Sequence, residues 1–275
     1  MKKVLLIDGH NLLFRMFFGI PSPIIHKELD VRGIIGFLSS IKRYISDLKP
    51  DYIKIVFDSE TSTNFNKSLD KNYKQNRIDY SFVEDNKNPF LALPLLYRIL
   101  THFQIDFIEA KFNEADDYIA SYINDANFEF VIISTDSDFY QLIDSNVSLF
   151  VPKGKNGSLI DSDFLYQKLN IYPNQYVEYK ALVGDKADNI CGVKGIGPKT
   201  ASFILESGSI DAFLLIDHKF KSILTENIDL IHCNKKLIQL NCYLPLKKEY
   251  LPLNTQILKM NVMDIIRSAS ENVLS

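Results

Sequence analysis

The chain has little to offer the protein classes built on sulfur, imidazole or lipid. Its three cysteines, Cys191, Cys233 and Cys242, are odd in number and lack CxxC spacing, which argues against a disulfide framework and against a zinc site. The five histidines, His10, His26, His102, His218 and His232, show no ligand spacing such as HExxH. The start MKKVLLIDGH is basic, but its apolar run is only VLLI before Asp8, too short for a signal peptide or a membrane span. No internal repeat, low-complexity tract or long flexible linker is visible. What is present is ordinary globular material: 275 residues, 46% hydrophobic and 24% charged, enough for one large domain or a domain with a smaller appendage. The expected compartment is the cytoplasm, and no membrane partner is expected.

Nine carboxylates stand out because they end apolar runs or open helices. They fall in five clusters: Asp8; Asp58; Glu114, Asp116 and Asp117; Asp136 and Asp138; Asp185 and Asp188. Runs such as VLLID, IKIVFD and FVIISTDSD read as buried strands that deliver acids to one sheet edge. Packed together, the acids would repel one another and raise one another's pKa, so a fold that gathers them is expected to hold hard, oxygen-seeking cations such as magnesium or manganese. Each cluster alone has a plainer reading. The EADD acids suit the positive end of a helix dipole, Asp136 and Asp138 suit a turn, and GDKADN suits a loop. The five together point to a metal site.

The coarse order is strand 3–8, helix 31–48, strand 52–57, a polar stretch 59–88, helix 90–103, strand 105–109, helix 114–124, strand 129–134 and strand 147–151. Alternation of this kind implies an α/β fold with a mainly parallel central sheet and helices on both faces. Ligands of such sheets sit beyond the carboxyl ends of the strands, where Asp8, Asp58 and Asp136 lie. From about 162 onward the strand signal fades into short helical segments separated by Gly and Pro.

A net charge of −3 looks unfavourable for a nucleic-acid binder, yet setting the nine acids aside leaves +6. Lys67, Lys71, Lys74, Arg77, Lys153, Lys155, Lys194, Lys199, Lys235 and Lys236 would then offer a polyanion a basic surface around an acidic hole. For any single pair of lysines, a solvated surface is the simpler reading. The segment GVKGIGPKTA at 192–201 nearly imitates a P-loop, but Pro198 intrudes and no apolar strand precedes it. It also lacks the third glycine of a dinucleotide fingerprint. A helix-hairpin fits better. Gly195 and Gly197 shape a tight turn, Pro198 takes the first helical position, and the helix N-terminus with Lys194, Lys199 and Thr200 grips a phosphate backbone without reading sequence.

With LIDGHNLLFR, VFDS, YKQNR, EADD, STDSDFYQL, ALVGDKADN and GVKGIGPKTA in order, the chain resembles the 5' nucleases over about residues 3–240. These are bacterial and phage 5'-3' exonucleases and flap endonucleases, including the N-terminal domain of bacterial DNA polymerase I. The resemblance implies a metal-dependent phosphodiesterase acting in replication and repair on 5' ends and branched DNA, and the sequence leaves open whether DNA flaps or RNA primers are the main substrate. It implies two domains: a catalytic α/β unit over 1–170 with a helical arch at about 59–88, and a helical DNA-binding region over 171–275. A helix-three-turn-helix module would lie at about 182–207. No polymerase segment follows, so a stand-alone, monomeric nuclease is expected.

Carried over by motif, Asp8, Asp58, Glu114 and Asp116 would surround one metal, and Asp138, Asp185 and Asp188 another. Asp117 and Asp136 would act directly or through water. Two or three Mg2+ or Mn2+ ions are implied, a pair of them about 4 Å apart activating water and stabilising the leaving 3' oxygen, with a 5'-phosphate and a 3'-hydroxyl as products. Lys74 would neutralise the scissile phosphate, with Arg77 and Arg15 steering it, and Tyr73 would stack on a displaced base. Potassium would be held by backbone carbonyls of Leu182, Val183, Val193 and Ile196. Two departures from the family pattern are visible. Phe65-Asn66 replaces the usual Phe-Arg, which leaves Lys67 to supply a phosphate contact, and Cys191 replaces a usual Pro. Retention of Asp185 and Asp188 favours an active enzyme. The rival readings are a haloacid-dehalogenase-like phosphatase with Asp136 as nucleophile, a PIN-type ribonuclease, a P-loop ATPase, and a catalytically weak protein that binds branched DNA.

Overall fold

The computed structural model describes residues 1–59, 73–76, 78–111, 113–154 and 156–271. The chain runs through β1 (Lys2–Asp8), α1 (Gly9–Gly19), a small hairpin of β2 (Ile25–His26) and β3 (Leu29–Asp30), α2 (Arg32–Leu48) and β4 (Tyr52–Asp58). There follow α3 (Leu93–His102), β5 (Asp106–Ala110), α4 (Ala115–Tyr122), β6 (Phe128–Ile133), a 3-10 helix at Ser137–Leu142, β7 (Val147–Lys153), β8 (Asn156–Ile160) and α5 (Ser162–Leu169). Six of these strands form one sheet in the order β5-β4-β1-β6-β7-β8, parallel except at the β7–β8 edge. The α/β class with a mainly parallel sheet is as the sequence implies.

Alternation along β1 divides the interior into two layers. Leu5 and Ile7 join Ile53, Ile55 and Phe57 of β4 beneath α1, α2 and α3. Val4 and Leu6 face the other way, with Val56, Phe130 and Ile132, onto α4 and the helices of the second half. Helix α2 shows why it docks where it does: Ile34, Phe37, Leu38, Ile41, Tyr44 and Ile45 repeat at helical spacing and are all buried. Its end is set by Lys49, which adopts the left-handed conformation at φ 48°.

After residue 170 the chain is helical: α6 (Tyr176–Val183), α7 (Pro198–Leu205), α8 (Ile210–Leu214), α9 (Lys221–Glu226) and α10 (Ile228–Ile238). Between α6 and α7 lies a two-stranded ribbon, β9 (Gly184–Asp185) against β10 (Ile190–Cys191). An extended stretch then leads to α11 (Gln256–Lys259) and α12 (Val262–Glu271), whose Ile257, Ile265, Ile266 and Ala269 return to the layer under α2 and α3. Two features escape a periodicity reading. Helix α1 starts immediately at Asp8, so LLFRMFF has no spacer to mark it, and β8 forms in the Gly- and Asn-containing stretch after Gly154. Among the described residues, no helix is long and apolar enough to cross a membrane. Residues 60–72 and 77 of the polar stretch 59–88 expected to form an arch, including Lys67, Lys71 and Arg77, lie outside the described residues.

Candidate metal centre

Each acid cluster reaches the carboxyl edge of the sheet on a different element. Asp8 ends β1 and caps α1: its Oδ1 accepts from Asn11 N–H at 3.1 Å, and its Oδ2 accepts from the Ser134 hydroxyl at 3.0 Å. Asp58 ends the neighbouring β4, and its Oδ1 accepts from the backbone N–H of Ala115 at 2.8 Å. That bond ties β4 to the start of α4, where Glu114 occupies the N-cap position and Asp116 and Asp117 the first turn. Asp136 follows β6 and caps the 3-10 helix by accepting from Asp138 N–H at 2.9 Å, while its own N–H donates to Ser134 Oγ at 3.0 Å. Asp185 lies in β9, and buried Asp188 in the turn that follows.

The β9–β10 turn depends on glycine. Gly184 sits at φ +83°, and a Cβ there would stand 2.5 Å from the backbone nitrogen of Gly192 and 2.7 Å from Ile190 O. Asn234 of α10, itself buried, donates from one amide nitrogen to Ala181 O at 3.0 Å and Cys191 O at 2.8 Å, tying the last turn of α6 to β10.

The electrostatics show that the clusters share one field. Burial pushes Asp8 up to about 7, helped by the charges of Asp58 and Asp136. Burial also raises Asp138 to about 7, against the pull of Lys180 and with the push of Asp136. Asp116 is raised well above its ordinary value by burial, Asp136, Asp8 and Asp58, and Asp117 is raised by burial. Asp58 and Asp185 move the other way. For each, burial is outweighed by the adjoining groups: His10 and the Ala115 N–H for the first, Lys180 for the second.

Two buried lysines supply the local positive charge. Lys74 Nζ donates to Glu114 Oε2 at 2.6 Å, and its backbone N–H donates to Asp188 O at 3.1 Å, so the turn 73–76 lies across the ribbon. Asn76 adds contacts to Lys186 O and Ala187 O. Lys180 Nζ contacts Asp138 Oδ1 and, at 2.5 Å, Asp185 Oδ2. Burial works against both ammonium groups, yet the adjoining carboxylates hold both above the ordinary lysine value.

Asp138, Asp185 and Asp188 bring one oxygen each within 4.8 Å of one another. A cleft of about 60 Å³ opens beside them, lined by Glu114, Asp116, Asp117, Asp138, Tyr73 and Lys236 among others. An all-oxygen donor set crowded into a largely buried site fits hard divalent cations. Asp117 is placed differently. Its Oδ1 accepts from Asn241 N–H at 2.7 Å and its Oδ2 from Asn113 at 3.1 Å, so it binds the chain after α10 to the site.

Other expected residues are distributed as follows. Tyr73, expected to stack on a base, is only 4% exposed, with its ring in the core and its hydroxyl donating to Glu114 at 3.2 Å. Arg15 is half buried on α1 and its charge is felt by Tyr44 of α2. Lys194, Gly195, Gly197 and Lys199 are exposed and Thr200 half-buried around the start of α7. Gly195 has φ +91°, Gly197 is the N-cap and Pro198 the first helical residue, as the helix-hairpin reading requires. Leu182 O accepts from Val193 N–H at 2.8 Å and Val193 O from Ile196 N–H at 3.0 Å, bringing three of the four expected carbonyl residues together. Val183 adjoins them through Gly192, whose Cβ would meet Val183 O at 2.4 Å. Lys235 is paired with Glu178 at 2.6 Å.

Sequence reasoning missed Lys180, Ser134, His10 and Asn234. Lys180 had a signal, being a lone cation in the apolar run YKALV just before Asp185. His10 accepts from Asp58 N–H at 3.2 Å and had no signal in spacing.

A family model described as the 5'-3' exonuclease N-terminal resolvase-like domain matches residues 3–170, and one described as the 5'-3' exonuclease C-terminal SAM fold matches 171–261. The chain is 34% identical over 256 residues to DNA polymerase I of Caldicellulosiruptor bescii, covering 89% of this chain and 29% of that protein. It is 32% identical over 226 residues to a 5'-3' exonuclease of Aquifex aeolicus, covering 80% and 75%. The chain thus spans under a third of the polymerase it matches. Among solved structures, the T5 5'-exonuclease with bound zinc superposes with a TM-score of 0.72 at 21% identity, covering 99% of this chain and 98% of that one. The catalytic core of Rad2 in complex with DNA gives 0.61 at 15%, covering 99% and 87%. These two likenesses concern the fold. The family models, which together account for residues 3–261, and the exonuclease relative establish that the chain belongs to the 5'-3' exonuclease family.

Proposed function

We propose that the chain hydrolyses phosphodiester bonds at 5' ends and 5' flaps of DNA, and of RNA primers, using divalent cations held by its acid cluster. The observation that carries this reading is the gathering of nine carboxylates, in five clusters on different elements, around two buried lysines in a chain of this family. Asp138, Asp185 and Asp188 would hold one cation, and Asp8, Asp58, Glu114 and Asp116 another. Asp136 and Asp117 would support them through the hydrogen bonds described above. When bound, the cations, magnesium or manganese, supply the Lewis acidity that activates a water and steadies the leaving 3' oxygen.

The chain's own residues do the rest. Ser134 Oγ and Asn11 N–H orient both oxygens of Asp8, and Ala115 N–H orients Asp58, so the acids are held before substrate arrives. The ammonium of Lys74 stands beside this edge and would pass from Glu114 to the scissile phosphate, with Arg77 and Arg15 as auxiliary charges. The start of α7, with Lys194, Lys199 and Thr200, would take the duplex backbone, and Lys67 a phosphate of the arch. A potassium ion at the carbonyls of Leu182, Val183, Val193 and Ile196 would brace that element. In this reading 1–170 is the catalytic unit and 171–275 the DNA-gripping region of a cytoplasmic monomer.

The substitution Asp185→Asn tests the proposal in a cleavage and binding assay on flap DNA. Loss of cleavage with retained binding supports it, and retention of cleavage overturns the metal assignment. The same variant separates a nuclease from a protein that only binds branched DNA, because the latter would show no metal-dependent cleavage before or after the change.

A further inference from the structure

We infer that Lys180 is an internal cation that occupies the Asp138, Asp185 and Asp188 cluster in the metal-free protein and competes with a divalent ion for its oxygens. The inference rests on the metal-binding reading above and concerns how tightly that cluster binds.

Three carboxylate oxygens within 4.8 Å of one another repel unless positive charge lies among them. Lys180 Nζ provides it by contacting Asp138 Oδ1 and Asp185 Oδ2 from a side chain only 8% exposed. The backbone of Lys180 is fixed. Tyr179, Ala181 and Leu182 are buried, Asn234 bonds Ala181 O, and Glu178 is held by Lys235 and by Ile210 N–H at 2.8 Å. Only the flexible four-carbon stem can move the charge.

An ammonium group and a divalent cation need the same oxygens, and neither can make full contact while the other remains. The ammonium has only donors to offer, so it cannot become a ligand. Metal binding therefore displaces Lys180 from Asp138, Asp185 or both, and the work of displacement lowers metal affinity at this cluster. In return the repulsion at Asp138 and Asp185 is partly relieved in the metal-free protein.

The test uses the whole chain with Lys180→Met and Lys180→Arg. Manganese binding is followed by isothermal titration calorimetry, and thermal unfolding is measured in EDTA and in saturating magnesium. Lys180→Met is expected to bind Mn2+ at one site about tenfold more tightly, because a like charge has been removed from beside it. It should lose stability in EDTA and recover it in magnesium. Lys180→Arg keeps the charge and should follow the parent. If Lys180→Met fails to fold in EDTA, Lys180→Gln, purified in magnesium and exchanged into manganese, gives the same affinity comparison. Unchanged or weaker binding in the uncharged variants overturns the inference, as does an equal loss of stability with and without magnesium. A parent protein that binds no Mn2+ overturns the metal-binding reading itself, and the inference with it.

Discussion

Metal-free protein should become less stable as pH rises from about 4 to 8, the reverse of ordinary acid denaturation. Asp8 and Asp138 are both held to about 7, against 3.8 for a free side chain, and Asp116 is raised as well. Between the two values the folded chain binds protons that the unfolded chain has released, so the stability gained at low pH is lost as pH climbs through 7. One such proton is worth roughly 4 kcal/mol, a large part of the roughly 5–15 kcal/mol that holds a domain together. The opposing groups act outside this window. Asp58 and Asp185 are lowered, so their contribution is complete above about 4 and fails only below it. Lys74 and Lys180 are raised, so theirs is complete below the ordinary lysine value and fails only at higher pH. The assay is urea unfolding in EDTA at pH 5, 6, 7 and 8. A fall of several kcal/mol is expected, and saturating magnesium should flatten or reverse the slope because protons and cations then compete for the same oxygens. Stability in EDTA that is flat or rises over this range would refute the description of the acids as a crowded, under-neutralised cluster.

Other substitutions probe the supports. Gly184→Ala should destabilise by roughly 3 kcal/mol in chemical denaturation, since alanine is strained at φ +83° and its Cβ would strike Gly192 N and Ile190 O. Asn234→Ala removes the donor shared by Ala181 O and Cys191 O and should cost about 2 kcal/mol while weakening manganese binding, measured by calorimetry. Lys74→Ala should lower kcat on flap DNA roughly 10²- to 10³-fold in steady-state kinetics, with a smaller effect on KM.

The parts of the fold that repeat were legible in the sequence. Buried runs such as VLLI and IKIVF need both faces covered, so they could only be central strands, and the acids after them had to emerge at one edge. Helix α2 declared itself through the spacing of Ile34, Phe37, Ile41 and Tyr44. Helix α1 did not, because Asp8 serves at once as strand end, helix cap and site residue, which leaves no punctuation between the elements. The acids themselves could be found because carboxylates after apolar runs are costly without a purpose. Their partners could not, because a buried lysine such as Lys180 or a bridging hydroxyl such as Ser134 becomes meaningful only once Asp138 and Asp185, or Asp8 and Asp136, stand beside it in space. Tyr73 shows the opposite limit. Its position in YKQNR suggested an exposed stacking ring, whereas the turn around Lys74 folds it inward onto Glu114.

The most direct test of the central claim is cleavage of a labelled 5'-flap DNA by the purified protein in magnesium, in manganese and in chelator. Cutting near the junction that requires metal and leaves a 5'-phosphate is the expected result. Tight binding of the flap without cutting in either metal would contradict it, because the acid cluster would then serve architecture and not hydrolysis.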